Sequence, residues 1–466
     1  MKDVIIIGAG IAGLSAGFEL YKNAIDFQIL ETSSRAGGCI ESLSIDDFLI
    51  ETGPNTFSSS AKEVMGLVKE LELEDSLLEG SHEARRKRYV SQNGKLVEVP
   101  SGLIEFFKSD LISKDGKMTL LEELFIKREE KEESVEDFVE RRFGREILKN
   151  LIQPFLNGVF AGDVQKLSAN AVFPKLKNLE SRYKSVLIGS ILSGDFRSSF
   201  KKLNLYSFKN GMEVLPNTLY EKIKSKTTLN VKDIDITKAK DFFVVNFKAN
   251  NKTINYTANS VLFAIPAHRM NEFAYLLPEE HRNCFSIEYA PIAVINQVIE
   301  KSKLREPVGF GFLCTREPHR KLLGTIWTSS IFPDRSKEDK ALFTSYAGGA
   351  HYKKVSDLTK DEIKTLVSKE LSEIMNISDP DSIKTLNIKI HPHAIPQYNL
   401  GHLDKVSSME NIMESNSGIF FTGNYLKGVS LNDTIKTSKE VVEKIKDFLH
   451  KIKLKEKELM LSVTNT

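Results

Sequence analysis

Cysteine is scarce in this chain of 466 residues: only Cys39, Cys284 and Cys314 carry a thiol, and no two stand at a short paired spacing. That excludes a disulfide framework and a cysteine-based zinc site, and it fits a reducing compartment. An excess of either charge is lacking too. Lysine plus arginine number 65 against 63 for aspartate plus glutamate, a net charge of +2. The strongly basic domain that a nucleic-acid partner calls for is therefore missing. No apolar run reaches the length of a transmembrane helix. The opening MKDVIIIGAG is a short apolar run that leads straight into a glycine turn, so it reads as a strand and not as a signal peptide. A cytoplasmic protein, touching membrane only at its face, is the expectation. Internal repeats are absent as well.

What remains is an ordinary globular composition, 41% hydrophobic and 27% charged, in a chain long enough for two or three domains with ligands held between them. Residues 4–7 are apolar, 11–23 have helical periodicity and 27–31 are extended again, which makes a βαβ unit. Residues 61–100 mix a helical stretch with a polar hairpin turning at Gln92-Asn93-Gly94. From residue 101 to 199 the pattern is mainly helical and includes the charge run 127–133, read as a solvated helix face or connection. Short strands dominate after Tyr206, at 229–236, 242–247, 261–265 and repeatedly between 294 and 345. A strand at 418–422 and a helix from 431 to 451 close the pattern.

Gly8-Ala9-Gly10-Ile11-Ala12-Gly13 follows the first strand and opens the first helix, the context in which GxGxxG binds a dinucleotide. The glycines permit a tight turn, approach of backbone to a pyrophosphate, and close helix–strand packing. The helix N-terminus adds unpaired N–H groups. Glu31, with Thr32 beside it, ends the second strand where an acidic residue bonds a ribose hydroxyl, and its charge disfavours a ribose phosphate. The bland alternative is a tight turn and a surface carboxylate.

Arg35-Ala36-Gly37-Gly38 comes next. With the βαβ unit it resembles the two-dinucleotide-domain flavoproteins and flavin amine oxidases, which implies FAD, with Arg35, Gly37 and Gly38 holding the pyrophosphate from its other side. Many relatives carry a basic residue where this chain has Cys39, which reads as a small buried filler.

Further segments are similar to the porphyrinogen oxidases. Glu51-Thr52-Gly53-Pro54-Asn55-Thr56-Phe57 looks like a segment that runs beside the flavin ring in that family, although turn chemistry alone also explains Gly-Pro-Asn. Asn157-Gly158-Val159-Phe160-Ala161-Gly162-Asp163, with Leu167-Ser168 and Phe173-Pro174, resembles a stretch of the porphyrin pocket; Gly162 is its candidate substrate residue. Two glycines about a helical turn apart let backbone approach a flat macrocycle. His393-Ala394-Ile395-Pro396-Gln397-Tyr398-Asn399-Leu400-Gly401-His402 is similar to a third signature, with His391 where many relatives have tryptophan. Phe421 to Ser430 matches an element before the last helix, and implies that Gly423, Asn424, Gly428, Val429 and Ser430 face the pyrimidine end of the flavin. Helix dipole and N–H donors there stabilise the negative charge of a reduced flavin. Val231, in a strand, is expected to touch adenine, and Ala264-Ile265-Pro266 resembles a turn of FAD domains.

The resemblance runs from Met1 to about Lys446. It implies an α/β fold: a Rossmann-like FAD-binding domain assembled from separated segments (1–60, 205–268 and 410–450), a mixed α+β substrate domain (61–100 and 269–409) and a mainly helical pocket or membrane-associated insertion (101–204). The implied activity is FAD-dependent oxidation of protoporphyrinogen IX to protoporphyrin IX by repeated hydride transfer, with molecular oxygen as acceptor. Coproporphyrinogen III oxidation, or a reaction of the amine oxidase or carotenoid desaturase type, is the alternative. Arg88, in the run Arg85-Arg86-Lys87-Arg88, falls at the family's propionate-binding arginine; a solvated basic strand is the competing reading. The apolar stripe Leu103, Ile104, Phe106, Phe107, Leu111 and Ile112 suits a core, a monotopic membrane foot or a pocket mouth. No general base and no metal are expected, His391, His393 and His402 lacking a recognisable ligand spacing. Peripheral membrane contact and a homodimer are compatible with the sequence.

Overall fold

The architecture is that of a computed structural model describing residues 1–100, 103–109, 111–193, 204–305, 308–415 and 417–464. Its first seven-stranded sheet is ordered Thr227–Thr228, Phe27–Leu30, Lys2–Ile7, Lys252–Phe263, Phe243–Ala249, Lys232–Lys238, with Ile419–Phe421 also paired to the end of Lys252–Phe263. Pairing is parallel around Lys2–Ile7 and antiparallel in the meander Lys232–Phe263. Val4 to Ile7 and Phe27 to Leu30 are buried throughout, because a parallel sheet is covered on both faces. The helix Ile11–Lys22 buries Leu14, Ala16, Phe18 and Leu20 and packs against the helix Leu431–Thr464, which runs well past residue 451.

The second seven-stranded sheet is ordered Lys384–Pro396, Tyr289–Glu300, Lys340–Gly348, Leu322–Ile326, Gly311–Cys314, Tyr89–Gln92, Lys95–Glu98. The hairpin Tyr89–Glu98 turns at Asn93 and Gly94, whose φ values of +51° and +74° are those of a primed turn. It joins the sheet through a parallel pairing with Gly311–Cys314.

Residues 111–193 are mainly helical around a core of Phe138, Leu148, Leu156, Phe160 and Leu167. Arg142, fully buried there, ion-pairs with Glu123 at 3.0 Å and Glu180 at 2.6 Å. The charge run 127–133 is an irregular connection and not a helix face. Glu133 within it is buried, where Arg141 and Lys177 reach it, so it is not solvated. Leu111 and Ile112 are core residues, whereas the side chains of Arg85, Leu103, Ile104 and Phe107 lie outside the described residues. The strand expected at 229–236 is displaced: Asn230 adopts φ +57°, which breaks the extended run, so Val231 stands in the loop before Lys232–Lys238.

Candidate functional site

The three glycines of the first turn do different things. Gly8 has φ +104°, and a Cβ there would stand 2.8 Å from the Ala264 carbonyl oxygen. At Gly13 a Cβ would lie 1.9 Å from the Gly8 carbonyl oxygen, so the helix seats directly on the turn. Gly10 alone faces open space, its nearest neighbour being the Gly38 Cα at 3.9 Å. Ile11 and Ala12 begin the helix behind it. The Glu31 carboxylate accepts from the Ala9 N–H at 2.6 Å and the Ser33 N–H at 2.8 Å, with the Thr32 hydroxyl at 3.4 Å. It keeps lone pairs for a ribose hydroxyl. Val231 donates its N–H to the Glu31 carbonyl, which holds it beside that site from a loop.

Gly37 and Gly38 form a second turn opposite the first, tied to it by the Gly37 N–H on the Ala9 carbonyl at 2.8 Å. Arg35 donates to the carbonyls of Gly38, Ile40 and Ala36 and lies 3.4 Å from Glu41 and 3.8 Å from Glu213. It shapes the turn that frames the cleft. Cys39 is accessible and not the buried filler its size suggests, yet surrounding protein pushes its thiol pKa up. Both hold when a side chain lines a concavity.

The Gly53 to Thr56 loop leaves the strand Phe48–Glu51. Its base is anchored by a buried ion pair, Glu51 to Arg335 at 3.0 Å, with further bonds to Glu51 from Ser42 and the Met212 N–H. Burial still pushes the Glu51 carboxyl up and the Arg335 guanidinium down. Gly53 is pressed against the Cys39 carbonyl oxygen, 2.1 Å from where a Cβ would stand. Pro54 and Thr56 are half-buried. Asn55 donates to Thr344 Oγ1 at 3.4 Å, and its buried Oδ1 has no partner among the described residues. His391 Nε2 lies 2.8 Å from the Thr52 carbonyl oxygen, and burial lowers its pKa.

The segment 395–402 joins the remaining signatures. Gln397 donates to the Phe160 carbonyl at 2.8 Å, and Ser168 N–H donates to the Tyr398 carbonyl at 2.8 Å. The Tyr398 hydroxyl donates to the Asn424 carbonyl at 2.6 Å and accepts from the Gly428 N–H at 2.8 Å. Val429 packs on the same core as Tyr398 and Phe160. Ser430 caps the last helix by accepting from the Asp433 N–H at 3.1 Å, and Gly423 precedes the turn with φ +156°. A Cβ at Gly158 would meet Leu313 at 2.7 Å, and one at Gly162 would meet Leu167 at 2.7 Å and Gln397 at 2.8 Å, so side chains of this protein fill those positions.

The family model of flavin containing amine oxidoreductases matches residues 11–446. The chloroplastic protoporphyrinogen oxidase of Nicotiana tabacum is 30% identical over 96% of this chain and 86% of its own. The chain belongs to the porphyrinogen oxidase family of these flavoproteins. Another relative, the coproporphyrinogen III oxidase of Bacillus subtilis (strain 168), is 27% identical over 95% of this chain and 97% of its own. Likeness of fold extends further. A crystal structure of an Exiguobacterium sp. 255-15 protein has a TM-score of 0.78 at 19% identity, covering 95% of this chain and 98% of that one. A redesigned triple mutant of putrescine oxidase has a TM-score of 0.69 at 15% identity, covering 95% and 98%.

This porphyrinogen oxidase relative is an FAD-dependent oxidase, and its residues fit that cofactor. The facing edges of Gly10 and Gly38 carry no side chain, the helix N-terminus stands beside them, and Glu31 retains acceptor capacity. Arg88 lies elsewhere, just before the strand Tyr89–Gln92, with its guanidinium 5.5 Å from the Phe310 ring centre. It has no carboxylate partner among the described residues, and although exposed it is surrounded closely enough that desolvation lowers its pKa. Arg88 and Gly158 meet the same strand region, through Phe310 and Leu313, whereas Gly162 is turned toward Gln397.

Sequence reasoning missed Arg335 and the Tyr398 hydroxyl. The Glu51–Arg335 pair spans the chain with no local pattern to mark it. Tyr398 stands inside a family-like segment, but no local signal marks the distant backbone groups that its hydroxyl bonds. The histidines separate: His402 stacks on Tyr398 at 4.0 Å, His393 lies tilted against His268 at 4.1 Å, and His391 meets Thr52.

Proposed function

We propose that this enzyme oxidises protoporphyrinogen IX to protoporphyrin IX, with molecular oxygen as the acceptor. The observation that supports the reading is Arg88, an exposed but partly desolvated guanidinium beside the Phe310 ring with no carboxylate partner among the described residues, which is free to take a substrate propionate. The identity to plant protoporphyrinogen oxidases across nearly the whole chain supports it.

Bound FAD supplies the hydride acceptor for the bridging methylenes of the macrocycle. Gly8, Gly10, Gly13, Glu31, Gly37, Gly38 and the Gly53 to Thr56 loop hold it, with Val231 and Ala264 at the adenosine side and Gly423 to Ser430 at the pyrimidine side. Arg88 orients the ring. The Phe160 to Gly162 loop and segment 395–402 wall the pocket and keep water out. No side chain is assigned as general base. The domain division 1–60, 205–268 and 410–450 against 61–100, 269–409 and 101–204 belongs to the same proposal.

Coproporphyrinogen III is the second reading, favoured by relatives that carry that name at 27% identity. Peripheral membrane contact is supported by Phe125, Ile191 and Leu192, which are 87%, 63% and 67% exposed. No described helix is long and apolar enough to cross a membrane.

The test follows porphyrin fluorescence with each porphyrinogen separately, less spontaneous oxidation, beside anaerobic bleaching of the flavin. Preference for protoporphyrinogen supports the proposal, and preference for coproporphyrinogen moves it to the second reading. A flavin left oxidised by both would overturn both.

A further inference from the structure

Tyr398 is 2% exposed, yet its hydroxyl is fully used. It donates to the Asn424 carbonyl at 2.6 Å and accepts from the Gly428 N–H at 2.8 Å, which closes a turn whose ends, Gly423 and Gly428, have φ +156° and +136°. The last helix begins immediately beyond, with Ser430 as its cap. The phenol ring is clamped by Phe160, edge-on at 5.5 Å, and by His402, stacked at 4.0 Å. Its backbone carbonyl takes the Ser168 N–H. One side chain thus joins the Phe160 to Ser168 region to the turn that aims the helix N-terminus.

We infer that Tyr398 is a positioning residue for the flavin: by fixing the Asn424 to Gly428 turn it directs the Val429 and Ser430 N–H groups and the helix N-terminus at the pyrimidine end, and so favours the reduced cofactor. The inference rests on the placement of Gly423 to Ser430 against FAD. Donors that are oriented beforehand stabilise charge without reorganisation, which is why a fixed turn matters more to reduced than to oxidised flavin. Without the hydroxyl, a backbone donor and acceptor lose their partners and the turn relaxes toward other ones.

The experiment compares the holoenzyme with Tyr398→Phe, which keeps the ring and its stacking. Thr315→Val, which removes a different buried hydroxyl bonded to the Ser91 carbonyl at 2.8 Å, is the matched control. Expected for Tyr398→Phe are about tenfold faster hydrogen exchange at Gly428 and about tenfold weaker FAD binding. Reduced flavin is held about tenfold less tightly relative to oxidised, which lowers a two-electron potential by about 30 mV. Thr315→Val leaves the potential in place. Where the phenylalanine variant fails to accumulate, Tyr398→His, a flat ring with a shorter reach, replaces it. An unchanged potential and flavin spectrum alongside a lower melting temperature overturns the inference and leaves a plain structural brace. Protection of the Val429 and Ser430 amides on adding FAD to the unaltered apoprotein checks the placement separately; its absence also overturns the inference.

Discussion

The Gly8 carbonyl oxygen occupies the space, 1.9 Å away, where a Cβ on residue 13 would stand. Residue 10, in the same motif, has no such neighbour and an ordinary backbone angle, φ −69°. Alanine at the two positions should therefore fail differently. Gly13→Ala forces the helix off the turn and lowers the stability of the apoprotein itself, by about 1–3 kcal/mol as for other overpacked sites. Gly10→Ala leaves apoprotein melting within about 0.5 kcal/mol but places a methyl group in the cleft, so FAD binding weakens at least about tenfold. Calorimetry of apoprotein and FAD titration separate the two. Equal loss of apoprotein stability in both variants would contradict the assignment of Gly10 to the cofactor.

Arg88 gives a test of the substrate side. A charge-assisted bond to a carboxylate contributes about 1.5–3 kcal/mol, so Arg88→Ala should lower kcat/KM by roughly 10- to 100-fold, mainly through KM. Arg88→Lys keeps the charge and loses the fork, and falls between the two. Flavin content stays unchanged in both. A fall in bound FAD instead of a rise in KM would place Arg88 in the wrong site.

His391 supports the loop beside the cofactor, since its Nε2 meets the Thr52 carbonyl at 2.8 Å. Burial lowers its pKa, so the ring is neutral at pH 7 and acts as a hydrogen-bond donor in the tautomer that this contact requires. His391→Phe removes that bond at a cost of about 1 kcal/mol, expected as a melting temperature lower by about 1 °C and a perturbed flavin absorption band. A spectrum identical to that of the unaltered enzyme would confine His391 to packing.

The local motifs were legible because their signals are local. The strand, glycine turn, helix and Glu31 follow one another within a single βαβ unit, and the Asn93-Gly94 hairpin turn has its own residue signature. What long-range contact decides was not legible. Nothing near Glu51 in the chain announces Arg335, and the pairing of Tyr89–Gln92 with Gly311–Cys314 joins segments far apart in sequence. The contacts that a Cβ at Gly158 or Gly162 would make with Leu313 and Gln397 are likewise set by distant segments. Cys39 has the size of a buried filler, but it is exposed at the end of the Gly37-Gly38 turn. Val231 was read as a strand residue because its neighbours are β-prone, and the positive φ of Asn230 breaks that run.

Acid should weaken the fold in two separate windows. His402, buried against Tyr398, has its pKa pushed down to about 4 by burial, with Lys405 adding to the effect. Between that value and the ordinary 6.5 the unfolded chain binds the extra proton, so stability is full above pH 6.5 and is lost as pH falls toward 4. Glu180 follows at lower pH. Burial alone would raise its carboxyl, but hydrogen bonds from Lys177, Arg141 and Arg142 outweigh that and hold it at about 2. Its contribution is present above pH 4.5 and lost on the way down to about 2. Each shift corresponds to roughly 3 kcal/mol when fully developed. His402→Phe keeps a flat ring against Tyr398 and should make the loss of melting temperature between pH 6.5 and 4 shallower, His268 accounting for what remains, while leaving the loss below it in place. Glu180→Gln should do the reverse, and because it removes one of the two carboxylates paired with buried Arg142, Glu123 remaining, it costs about 1–3 kcal/mol even at neutral pH. An upper window left at full depth by His402→Phe would assign it wholly to other histidines, His268 being the one other ring held down to about 4 among the described residues.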